Sequence, residues 1–260
     1  MKIGISTGCL YPSSTEAAVR LLLDEGFRLF EIFFNTFSEL EPDYLDKLKY
    51  MLDCRSAHVC SVHPFTSSYE SFLLFSGYER RFRDGLRLYE MYFRTAQRIG
   101  ADKVVLHGIH DSFSAAITED EYFRRFALLS ECAKEYSVML LQENVHLHRS
   151  NDIQFLKSMK KKIPDSSYFV LDTKQAVLGN HDPCAVAELM GNKLKHIHIS
   201  DRNSEGKCVL PGKGGCDYGK FFDTLKKIGY EGDVMIEVYR FSYDEISELG
   251  KALEFLNQYI

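Results

Sequence analysis

The sequence predicts an α/β protein, a single-domain (β/α)8 TIM barrel spanning residues 1–260. Three observations carry that prediction. Short β-rich runs alternate with amphipathic helical stretches from end to end, with no linker between them. The 260 residues, 45% of them hydrophobic, match one barrel of about 250 residues with a large core. Four runs in the second half each close on a side chain able to bind a metal: Glu143 in LLQEN, Asp172 in YFVLD, His198 in KHIHIS and Glu237 in VMIEV.

In chain order, strands are expected at residues 2–6 (KIGIS), 29–34 (LFEIFF), 58–63 (HVCSVH), 103–108 (KVVLHG), 138–143 (VMLLQE), 168–172 (YFVLD), 195–200 (KHIHIS) and 233–238 (DVMIEV). Helices are expected at 14–25, 43–57, 78–99, 120–136, 182–190, 218–228 and 243–259. Asp182 followed by Pro183 reads as an N-cap with proline in the first turn. Gly26, Gly100, Gly191 and Gly229 each stop a helix shortly before a strand, because glycine accepts the left-handed conformation at a helix end. Within the third helix Phe82, Leu86, Tyr89, Phe93 and Ala96 share one stripe. Arg80, Arg81, Arg83, Arg87, Arg94 and Arg98 occupy other positions, which predicts a packed face and a solvated basic face. Two connections, 64–77 and 201–216, exceed ordinary βα length, and such loops on a catalytic face often act as lids or clamps.

Composition narrows the partners. A net charge of -5 and a pI near 6.0 disfavour nucleic acid and anionic membrane surfaces. No stretch approaches the roughly 18 apolar residues of a membrane span, and the opening MKIGISTGCLYPSS lacks the apolar centre of an export signal. The seven cysteines, an odd number with no C-x-x-C pair, fit a reducing compartment better than a disulfide framework. A soluble, cytoplasmic protein is expected, and a homo-oligomer is left open.

In a parallel barrel the C-terminal strand ends converge on one mouth, where such proteins hold their chemistry. Glu143, Asp172, His198 and Glu237 recur at intervals near the roughly 30 residues of a βαβ unit, so the ligands repeat with the fold. Three carboxylates meeting there would repel one another without a cation. Oxygen-rich ligation with one imidazole and no thiolate suits Mn²⁺, Mg²⁺ or Co²⁺ as well as Zn²⁺. His63 and His107 close the third and fourth strands and face the same mouth, as second-metal ligands, substrate contacts or packed histidines. His146 and His148 lie just beyond Glu143 and are expected to be solvated.

Two further patterns carry less. G-x-S-x-G at Gly4, Ser6 and Gly8 has the form of a nucleophile elbow, but an elbow needs preceding strands and only Met1, Lys2 and Ile3 come before it. A serine hydrolase would also leave Glu143 and Glu237 unexplained. The segment PGKGGCDYGKFF matches neither phosphate-loop pattern. Its glycines are expected to let a loop fold over the mouth, with Asp217 capping the next helix.

The combination of E-N at Glu143, D-x-x-Q-A at Asp172, H-x-H-x-x-D from His196, P-G-x-G-x-x-D from Pro211 and I-E-V around Glu237 resembles the xylose isomerase-like TIM barrel superfamily. The branch is that of sugar phosphate isomerases and epimerases, which also includes endonuclease IV (AP endonuclease family 2), and the resemblance covers essentially the whole chain. It implies one divalent metal held by Glu143, Asp172, His198 and Glu237, with Glu143 and Glu237 as an acid/base pair on opposite faces of a small carbohydrate substrate. His63, His107, Gln175 and Arg202 are the expected substrate contacts. The chemistry is coherent: a metal chelating a carbonyl and its neighbouring hydroxyl acidifies the C–H between them and stabilises an ene-diolate.

The expected activity is a metal-dependent isomerase or epimerase of a free or phosphorylated sugar, with a dehydratase as near neighbour. The chain departs from the pattern at Gln175, where many relatives carry His. It departs again at Gly206 and Cys208, where the endonuclease branch carries Asp and His. A trinuclear zinc site is therefore out of reach, although His63, His107, Glu143, Asp172, His198 and Glu237 could still hold two metals. The alternatives are a metal-dependent phosphodiesterase acting on abasic DNA and a non-catalytic sugar-binding barrel.

Overall fold

The computed structural model describes residues 1–260, apart from the side chain of Ser114. Seven parallel strands follow in order: β1 (Ile3–Ser6), β2 (Leu29–Phe33), β3 (His58–His63), β4 (Lys103–Leu106), β5 (Met139–Glu143), β6 (Tyr168–Asp172) and β7 (Leu194–Ile199). A small antiparallel hairpin, β8 (Asp201–Arg202) and β9 (Cys208–Val209), precedes the eighth barrel strand, β10 (Asp233–Ile236). Each barrel strand pairs with its neighbour in sequence, and β10 pairs with both β7 and β1 to close the barrel. The predicted (β/α)8 barrel is what the chain forms.

Side chains alternate across each strand. Phe30, Ile32, Leu140, Phe169, Leu171, Ile197 and Ile236 join the main core between sheet and helices. The inward positions fill the barrel in layers. Leu29, Cys60 and Met235 form one small cluster, and Val105, Leu141 and Val170 another. Gly4 is required here: a Cβ would stand 2.6 Å from Leu29 O and from Met235 Cε, so only a bare backbone leaves room for that methionine.

The barrel helices are α1 (Thr15–Asp24), α2 (Pro42–Asp53), α3 (Glu70–Leu73), α4 (Glu79–Ile99), α5 (Glu119–Glu135), α6 (Ile153–Lys162), α7 (Thr173–Leu178), α8 (Pro183–Met190), α9 (Tyr218–Lys227) and α10 (Ser247–Leu256). Phe82, Tyr89, Phe93 and Ala96 of α4 are buried and its six named arginines are exposed, as the stripe predicts. Asp182 and Asp217 cap α8 and α9 by accepting from Cys184 N and Lys220 N. The helix expected at 243–259 begins later, because Glu248 Oε1 accepts the N–H groups of Asp244 and Glu245 and holds them outside the helix.

Both long connections are folded. Residues 64–77 carry α3, whose Glu70 is buried and accepts from the Tyr89 hydroxyl and from Gly108 N beside the end of β4. In 201–216, Asp201 accepts from the backbone N–H of Gly212 (3.2 Å), Gly214 (3.0 Å) and Cys216 (3.0 Å), which latches the glycine-rich turn onto the hairpin. Among the described residues no helix is long and apolar enough to cross a membrane, and all seven cysteines are free.

Burial pushes the Glu70 carboxyl up from 4.5 to about 7, against the pull of His107, Tyr89 and Gly108. Between those values the folded protein keeps a proton that the unfolded chain has released, so Glu70 makes stability fall as pH rises from 4.5 to 7. Glu70→Gln can accept from Gly108 and donate to Tyr89, and is expected to flatten that part of the profile. Melting temperatures of wild type and variant that run parallel across the window would refute the assignment.

Candidate metal centre

Glu143, Asp172, His198 and Glu237 come from β5, β6, β7 and the residue after β10, four consecutive neighbours around the barrel. The register places Asp172 beside His198 and continues through Glu237 N, which donates to Ile199 O. One ligand atom from each of the four lies within 4.8 Å of the others. His198 Nδ1 is 3.5 Å from Glu143 Oε1 and 3.3 Å from Glu237 Oε2. Asp172 uses Oδ1 to cap α7 at Gln175 N, and Oδ2 points into the cluster. Asp172 thus caps α7 with one oxygen and presents the other to the cluster.

Glu143 Oε2, Asp172 Oδ2 and His198 Nδ1 are buried and make no hydrogen bond, their close neighbours being His107, Lys174 and the facing carboxylates. Such atoms cost free energy unless something completes them. Three carboxylates and one imidazole converging on one point fit a hard or borderline divalent cation. The four groups also perturb one another strongly. Burial raises the Asp172 carboxyl to about 7, and Glu237 and Glu143 push in the same direction. On His198 burial disfavours charge, but Glu237, Glu31 and Glu143 outweigh it and raise the imidazole well above its usual value.

Glu31, a residue not singled out in the sequence, lies beneath His198. It is fully buried, and its Oε2 receives Ser61 Oγ (2.9 Å), His196 Nε2 (3.1 Å) and His198 Nε2 (3.0 Å). With Nε2 donating downward to Glu31, His198 is held so that Nδ1 faces the carboxylates above, as a carboxylate behind a metal-binding histidine fixes its ring. Two register shifts build it. Phe30 pairs with Val59 but Glu31 with Ser61, and Phe169 pairs with Leu194 but Val170 with His196. A charged residue inside the apolar run LFEIFF was the available signal, since a buried carboxylate needs partners.

His63 and His107 do reach the same mouth. Their Nε2 atoms are 3.1 Å apart, and His107 Nε2 lies 3.0 Å from Glu143 Oε2. Burial works against charge on His107, but Glu143, Glu70 and Glu237 raise it to about 9. His63, His107 and Glu143 form a second group of ligand atoms within 4.8 Å. Gln175 is half-buried and its Oε1 accepts from His146 N, so it braces the β5 loop. Arg202 is exposed on the hairpin, its Nε donating to Gly206 O.

His146 and His148 depart from the solvated reading. Both are half-buried, and the His148 ring packs against His107 and His110 at 5.9 and 5.1 Å between centroids. Ser6 is buried, and its Oγ accepts from Gly8 N at 3.4 Å, which makes G-x-S-x-G a capped turn.

Residues 19–259 match the family described as the xylose isomerase-like TIM barrel. The chain belongs to that family. Among curated relatives, an inosose dehydratase of Clostridium beijerinckii is 21% identical over 225 residues, 75% of this chain and 74% of that protein. Two solved structures share the xylose isomerase-like fold closely. A D-tagatose 3-epimerase-like protein has a TM-score of 0.79 at 20% identity, covering 99% of both chains. L-ribulose 3-epimerase has a TM-score of 0.81 at 18% identity, covering 100% of this chain and 96% of its own.

Proposed function

We propose that this barrel is a divalent-metal-dependent isomerase or epimerase of a sugar or sugar phosphate. The observation that carries the reading is the placement of two glutamates at opposite ends of one arc of strands, Glu143 on β5 and Glu237 after β10, with His198 Nδ1 between them. A divalent cation such as Mn²⁺, Mg²⁺, Co²⁺ or Zn²⁺, held by Glu143, Asp172, His198 and Glu237, would supply Lewis acidity toward a carbonyl and its neighbouring hydroxyl.

The two glutamates then approach a substrate over the site from two sides. One takes the proton from the activated carbon and the other returns it to the opposite face, which inverts the centre. Return to the adjacent carbon gives aldose–ketose isomerisation instead. His63 and His107 reach the same mouth and can hydrogen-bond substrate oxygens. The names of the inosose dehydratase and epimerase relatives support sugar-like substrates and keep dehydration as the nearest variant of the same proton transfer.

The test is solvent deuterium exchange into a panel of ketoses, ketose phosphates and inososes by metal-loaded protein. Exchange at the carbon beside the carbonyl is expected for at least one of them. No exchange in any member at full metal occupancy would sink the proposal. The His63, His107 and Glu143 group supports a second reading, a two-metal phosphodiesterase. Two metals per chain with nicking of an abasic oligonucleotide would favour it.

A further inference from the structure

Beside the metal cluster a cavity of about 510 Å³ opens between the starts of α7, α8 and α9 and the β8–β9 hairpin, a volume typical of small-molecule sites. Lys174, Arg202, Cys208, Lys220 and Tyr239 stand on its wall. Of these, Lys174 also touches the cluster. Its Nζ lies 3.4 Å from Asp172 Oδ2 and 3.5 Å from Glu237 Oε2, and 4.7 Å from the centre of the Tyr239 ring. Its side chain is only 10% exposed.

The acidic residues of the wall are already committed. Asp182 caps α8 and pairs with Lys220 at 3.3 Å, Asp217 caps α9, and Asp201 holds the glycine-rich turn. Lys174 is different, because its two carboxylate partners are the same oxygens that would bind the cation. A dication a few ångströms from an ammonium repels it strongly at low dielectric, and it also takes over the carboxylates that neutralise the lysine. The adjoining cavity, whose wall Lys174 already forms, would give a displaced ammonium room, and there it would need a new negative partner.

We propose that Lys174, together with Arg202, makes this cavity the subsite for an anionic group, a carboxylate or a phosphate, carried on the far end of the substrate whose carbonyl end lies at the metal cluster. The inference rests on the isomerase or epimerase reading for the carbonyl end. Lys174 is then both a specificity residue and a competitor of the metal. A lysine and an arginine beside one oxyanion give charge-assisted hydrogen bonds, roughly twice as strong as neutral ones.

The test is calorimetry on metal-loaded protein with three ketoses of equal length, bearing a terminal phosphate, a terminal carboxylate or a terminal hydroxyl. An anionic ketose is expected to bind at least roughly tenfold more tightly than the neutral one. Lys174→Met and Lys174→Gln should each shrink that preference, and either combined with Arg202→Met should erase it, anionic-ketose binding falling more than neutral-ketose binding. The same variants should bind Mn²⁺ more tightly than wild type, since no ammonium contests the site. The phosphate and carboxylate arms tell which oxyanion is preferred.

Equal affinity for anionic and neutral ketoses in wild type, or equal loss of both in the variants, would overturn the subsite. The two proposals fail separately. Anion preference without deuterium exchange leaves the subsite and removes the isomerase, whereas exchange on neutral sugars without anion preference does the reverse.

Discussion

Glu143→Gln and Glu237→Gln are each expected to cut turnover by at least roughly 100-fold, the scale of a lost general acid or base. Both residues are also predicted ligands, so metal content must be measured beside the rate. Glutamine keeps a neutral oxygen donor, and turnover should fall further than occupancy does. The sharper readout is isotopic. If the two carboxylates serve opposite faces, each single variant should still exchange solvent deuterium into one epimer and not the other. A variant with wild-type rates, or one that exchanges into both epimers equally, would remove that glutamate from the proton-transfer pair.

Glu31 should matter nearly as much without touching substrate. Loss of a carboxylate that supports a metal-binding histidine typically lowers metal affinity about 10–100-fold, and Glu31→Gln is expected to fall in that range by calorimetry with Mn²⁺ on substrate-free protein. Glu31→Ala goes further, because Ser61, His196 and His198 all lose their shared acceptor in a buried layer. Breaking a buried charged network of this kind costs about 3–5 kcal/mol, so the alanine variant should also melt earlier when metal-free. Unchanged affinity in Glu31→Gln would mean that strand geometry alone sets the His198 ring.

What could be read from the sequence divides along physical lines. Glu143, Asp172, His198 and Glu237 stood out because each closes an apolar run, and the barrel's one-mouth geometry converts that one-dimensional pattern into proximity. Glu31 could not be ranked in the same way: its partner His196 is 165 positions away, and two register shifts decide that they meet. Lys174 follows a ligand by two positions and reads as a loop residue until α7 turns it back over the cluster.

The helix α6 escapes a sequence reading because NDIQFLKSMKKK buries only Phe155, Leu156 and Met159 among many lysines. The hairpin β8–β9 has two residues per strand, too few for any periodic signal. His146 and His148 were misplaced because loop position says nothing about what packs above it.

The four proposed ligands occupy adjoining strands that lie wholly within residues 139–237. The barrel is thus lopsided in what it asks of heredity. Its later half must keep charge, spacing and register together, and a change in any one strand is felt by the other three. The earlier half, from β1 to β4, is tied to that arc at fewer points, through Glu31 and Ser61 under His198 and through His63 and His107 at the mouth. A lineage could acquire new substrates by rewriting the loops of the first hundred or so residues, provided Glu31, Ser61 and His63 stay in place.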